Sequence, residues 1–134
     1  MMMESEIKEN YLAMFKTDYQ AAQGYHRRAE MFSQAGRPAN LVFNIASMAL
    51  ERYLVALCDL HGIAPENHDY GCLMGAVETV FDFPIQLNQQ IRALDEIFGL
   101  CSLEANAHGD PKTDDANKIL ILCKEVRNIL AAVA

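Results

Sequence analysis

Positive charge is scarce in this 134-residue sequence: 11 lysines and arginines stand against 18 acids, for a formal charge of −7 and a pI near 4.9. Holding nucleic acid in general requires a positive field for the phosphates, so general nucleic-acid binding is not expected. Cysteine is sparse too. Cys58, Cys72, Cys101 and Cys123 are widely spaced and form no CxxC pair, which removes the common zinc frameworks. Each falls within a helical pattern, where a free thiol behaves as a small buried hydrophobe, so a reduced, cytoplasmic setting is expected. No apolar run is expected to reach the length of a membrane span, and the polar, acid-bearing start MMMESEIKEN does not read as a secretory leader. Alternating strand patterns bounded by hairpin turns are lacking. So are a glycine elbow around a serine or cysteine, a glycine-rich phosphate loop, and the inward Glu-x-x-His pairs of a di-iron bundle. His61 and His68 flank one turn with Glu66 between them, but no second ligand pair accompanies them, and neither metal nor cofactor is expected.

What is present is a helical pattern from end to end. Apolar residues make up 51% of the chain and charged ones 22%, the balance of one folded domain over residues 1–134. A first helix over about 4–35 carries Ile7, Tyr11, Met14, Ala21, Tyr25, Ala29 and Phe32 at helical spacing, with Gly24 inside it as a candidate bend. His26, Arg27 and Arg28 form a small basic patch that reads as a solvated face. Gly36 and Pro38 then separate it from a second helix ending near Leu60, about 35 Å long. Val42, Ala46, Ala49, Tyr53, Leu57 and Leu60 form the apolar stripe of that helix; Asn40, Asn44, Ser47 and Glu51 form a polar one. A short helix over about 69–82, opened by Asn67 or His68, precedes the DFP sequence, since the residue before a proline disfavours helical geometry.

The fourth helix repeats Leu87, Ile91, Leu94, Phe98, Cys101 and Ala105 at steps of four and three, and the next step lands on His108, with Gly109 as a left-handed cap. A fifth begins near TDDAN, with Thr113 or Asp114 as its cap, and turns Ala116, Ile119, Cys123, Val126 and Leu130 inward. The expected fold is all-α: an antiparallel up-and-down four-helix bundle with one additional short helix.

Residues 46–75 carry a resemblance. Ala49, Glu51, Arg52, Ala56, Leu57, Gly62, Ile63, His68, Asp69 and Leu73 stand where the HEPN family (nucleotide-binding domains of higher eukaryotes and prokaryotes, nucleotidyltransferase substrate-binding-like proteins) has its Glu-Lys-x-x-Lys-Ala-Leu helix, Gly-Ile turn and His-Asp helix start. Ribonuclease members of that family end a long helix with arginine, four to six residues, then histidine, commonly followed by glycine. Ala107, His108 and Gly109 match that ending here. The arginine does not: Leu103, Ser102 and Cys101 occupy its neighbourhood, and Arg92 lies about 24 Å down the helix axis. Val55 stands where the family's second lysine would be. Histidine can move a proton near neutral pH and arginine can offset phosphate charge, so losing the arginine removes half of that chemistry.

The resemblance therefore implies a non-catalytic, homodimeric bundle that binds a nucleotide or a protein as partner of a separately encoded small nucleotidyltransferase. The implied binding residues are Asn44, Ser47, Glu51, Asn106 and His108, with His108 the one candidate for catalysis. An RNA-cleaving dimer with a degenerate site, or a stand-alone dimeric interaction protein, are the alternatives.

Overall fold

A computed structural model describes residues 4–97 and 110–134, and these form five α-helices with no strand among them: α1 (Glu4–Gln34), α2 (Ala39–Leu60), α3 (Tyr70–Glu78), α4 (Ile85–Ile97) and α5 (Thr113–Val133). The chain is all-α. Helix α2 sits at its centre, packed by α1, α3 and α5. Every residue from Tyr53 to Asp59 is buried, which is the signature of a helix surrounded on all sides. By length and composition alone α2 is apolar enough to cross a membrane, with a mean hydropathy of 1.5 over its best window. That corrects the expectation of no such run. Much of this apolar surface is enclosed by the other helices, with 61% of the window buried.

Small residues are among the most enclosed of both α1 and α2: Ala22 and Ala29 of the first, Ala46, Ala49 and Ala56 of the second. Tyr11 lies against Gly62, Arg52 reaches Asp18, and Tyr53 reaches His26, so the two helices run in opposite directions. Helix α5 instead runs along α2 in the same sense: the Cys123 thiol donates to the Ala46 carbonyl, and Arg127, one turn on, lies beside Tyr53. The predicted inner face of α5 is buried as expected, from Ala116 to Leu130.

Helices α3 and α4 form an antiparallel pair, and α4 meets the rest of the molecule chiefly through α3. At one end the buried Asp95 carboxylate accepts the Tyr70 and Gly71 N–H groups, each at 2.9 Å. At the other, Arg92 and Asn88 both donate to Glu78. The inward stripe of α4 holds for Leu87, Ile91 and Leu94; Phe98, Cys101, Ala105, Asn106 and His108 lie outside the described residues.

Several boundaries differ from expectation. Helix α3 is shorter than 69–82, and its N-cap is Asp69, whose side chain accepts the Cys72 N–H; neither Asn67 nor His68 caps it. Helix α5 begins at Thr113 with Lys112 at the cap position, where the Asp115 carboxylate accepts the Lys112 N–H. Helix α1 runs unbroken through Gly24, which faces open space. Its buried stripe is displaced by about one residue from the expected one: Phe15, Asp18, Ala22, His26 and Ala29 point inward, while Ile7 and Met14 are exposed. Asp18 and His26 interrupt that stripe chemically but not geometrically, and counting apolar residues alone selects its neighbour.

Candidate functional site

Two polar clusters bridge the α1–α2 seam. The first is built around paired carboxyls. Asp18 of α1 and Asp59 of α2 are both buried, and the Arg52 guanidinium donates to Asp18 at 2.9 Å. Burial, together with the hydrogen bond to Asp18 and its negative charge, pushes the Asp59 carboxyl up to about 8. Near neutral pH Asp59 therefore keeps its proton, while the Arg52 guanidinium pairs with Asp18 beside it. Asp59 Oδ2 has no hydrogen-bond partner.

These groups form the polar side of a groove of about 520 Å³ between α1, α2 and the α2–α3 connection. Met14, Val55, Ala64 and Pro65 form its apolar side, and His68 stands on its wall. The His68 ring is held by Glu51, with Nδ1 2.9 Å from Oε1. Volume and mixed lining are those of a small-molecule cleft.

The second cluster begins one residue further along α2. Tyr53 is fully buried and its hydroxyl lies 2.9 Å from His26 Nδ1. Burial raises the phenol well above its usual range and lowers the His26 imidazolium, against the opposing pull of Glu30 and with the help of Arg127. Both groups are therefore neutral at physiological pH. The Glu30 carboxylate 3.0 Å from Nε2 favours the tautomer with hydrogen on that nitrogen, which makes Tyr53 the donor to Nδ1. That Nε2 is nonetheless out of line for a hydrogen bond to Glu30 Oε1. The sequence placed His26 on a solvated face together with Arg27 and Arg28; the arginines are exposed and the histidine is not. Replacing Tyr53 by phenylalanine leaves Nδ1 with no donor and is expected to cost about 1–2 kcal/mol in urea unfolding, with an unchanged denaturant slope.

The expected polar stripe of α2 divides among separate tasks. Glu51 faces the groove's histidine. Ser47 is committed to packing: its hydroxyl bonds the buried Tyr70 hydroxyl, and its carbonyl accepts the same group at 3.1 Å. Asn44 is exposed. Nothing is described for Asn106 and His108. The sequence reading missed Asp18, Asp59 and Tyr53 as polar participants; for Asp18 alone there was a usable signal, a polar residue in step with alanines at helical spacing, as in Asp18–Ala22–His26–Ala29.

The described thiols are poor nucleophiles. Burial pushes Cys58 up to about 11 and raises Cys123 further, and a hydrogen bond to Asp69 raises Cys72. Among the described residues no cluster of histidine, cysteine and acid has the makings of a metal site. Comparison of the chain with protein-family models, curated proteins and solved structures gives no match in any of the three.

Proposed function

We propose that the chain is a non-catalytic binding module of the HEPN-like kind: an up-and-down four-helix bundle with one extra short helix. We read it as a cytoplasmic homodimer that binds a nucleotide or a protein segment as partner of a separately encoded small nucleotidyltransferase. One observation carries the binding role. The groove beside Asp18, Arg52 and Asp59 joins an apolar wall to hydrogen-bonding groups, and the Glu51–His68 pair at its edge falls within the stretch that resembles the family. Its charges nearly cancel, so it suits the base and sugar of a nucleotide better than its phosphates. The enclosed His26 and the protonated thiols support a role without catalysis.

Calorimetry with nucleosides and nucleoside monophosphates tests the groove directly. Binding should be weakened about tenfold or more by Arg52→Ala, which removes the balance to the carboxyl pair and its share of the wall. A pull-down from native cells tests the partner. No binding in calorimetry and no nucleotidyltransferase in the pull-down would together end this reading.

A further inference from the structure

The hollow around His26 differs in charge from the groove and from the protein as a whole. It measures about 210 Å³ and is lined by Gln23, His26, Arg27 and Glu30 of α1, Tyr53 of α2 and Arg127 of α5. Two guanidinium groups face a single carboxylate there, a local positive balance on a chain of net charge −7. Neither Arg27 nor Arg127 makes an ion pair among the described residues, although Arg127 is close enough to act on both His26 and Tyr53. With the Gln23 amide, the floor supplies a further donor. With Nδ1 occupied by the Tyr53 hydroxyl, His26 turns an N–H at Nε2 toward the Glu30 side, and this buried atom has no hydrogen-bond partner of its own.

We infer that this hollow is a binding site for a small tetrahedral oxyanion, inorganic phosphate or the terminal phosphate of a monoester, held by Arg27, Arg127, Gln23 and the Nε2–H of His26. Guanidinium groups match phosphate oxygens in a fixed fork, and a buried neutral N–H adds direction without the cost of burying another charge. The volume is below that of a drug-sized pocket and suits one such group. Glu30 is the native competitor: its carboxylate sits where the anion would draw on the same donors, so binding requires it to swing outward, which its half-exposed position allows. Arg28, on the same turn of α1, does not line the hollow. The site lies apart from the groove, and neither assignment depends on the other.

The test is titration of the full chain with inorganic phosphate near neutral pH, followed by calorimetry and by the ring nitrogen resonances of His26. Saturable binding at millimolar phosphate is expected, with Nε2 shifting on saturation. Arg127→Gln should weaken it about tenfold. Glu30→Gln should tighten it several-fold, a gain that loss of fold cannot mimic, and Arg28→Gln should leave it within about twofold. Absence of saturable binding in the wild type and in Glu30→Gln, an unmoved His26 resonance, or equal losses for Arg127→Gln and Arg28→Gln would each overturn the assignment.

Discussion

Replacing Asp95 by alanine is expected to lower the free energy of unfolding by about 3 kcal/mol, a large effect for one side chain at the end of a short helix. Asp95 is almost wholly enclosed, and both its oxygens are in use, one on the Tyr70 N–H and one on the Gly71 N–H. With Asp69 taking the Cys72 N–H, three of the four orphan donors at the start of α3 are met by carboxylates. Alanine leaves two donors unsatisfied, removes a negative charge from the positive end of the helix and opens a cavity the size of a carboxyl group. A nine-residue helix has no stability of its own to set against this loss. Asp95→Asn keeps one acceptor and should lose about half as much. Urea denaturation checks both, and a loss for Asp95→Ala below about 1 kcal/mol would show that the cap is dispensable.

The second large effect is a dependence on pH. An ordinary aspartate carboxyl titrates at 3.8, whereas Asp59 in the folded protein holds its proton to about 8. Between those values the unfolded chain has released the proton and the folded chain has not. The contribution of this carboxyl to stability therefore falls as pH rises through this window, by at most about 1.4 kcal/mol per unit, and that contribution levels off above it. His26 acts in the opposite sense and elsewhere: its lowered imidazolium costs stability only below its ordinary value of 6.5. Between about pH 7 and 8 the carboxyl dominates, above the histidine window and below the pH at which the raised thiols Cys58 and Cys123 begin to act in the same sense. The groups facing Asp59 are Asp18 from α1 and Arg52 on its own helix. Asp59→Asn keeps the shape and cannot ionise, so its stability should stay level, and its advantage over the wild type should grow by about 2 kcal/mol between pH 6.5 and 8. Parallel curves for the two proteins would mean that Asp59 does not hold its proton in the folded chain.

How much of this the sequence showed depends on what each residue was asked to reveal. The stripes of α2 and α5 were legible because they are apolar without interruption, and Leu87, Ile91 and Leu94 of α4 likewise. The stripe of α1 was misread for the opposite reason. Asp18 and His26 occupy core positions, each satisfied by a partner from a helix far along the chain, and such partners have no local signature. The caps failed similarly. Asp69 lies one or two residues past the capping residues expected for α3, and the α5 cap position falls on Lys112, one or two residues before those expected, differences that short-range preference does not resolve. Of the site residues, Glu51 was found through its place in a motif, while its contact with His68 depends on how the α2–α3 connection folds back. Asp59 was invisible because a single acid in a long apolar helix resembles a helix-end residue until its burial is known.

The enclosed alanines have a mechanical meaning. Ala22 and Ala29 on α1 and Ala46, Ala49 and Ala56 on α2 offer no flexible side chain to absorb a shift of either helix. The carboxyl pair and the Tyr53–His26 pair both span the two helices, two turns apart on α1. A shift of α1 along or away from α2 would therefore be felt at both pairs together.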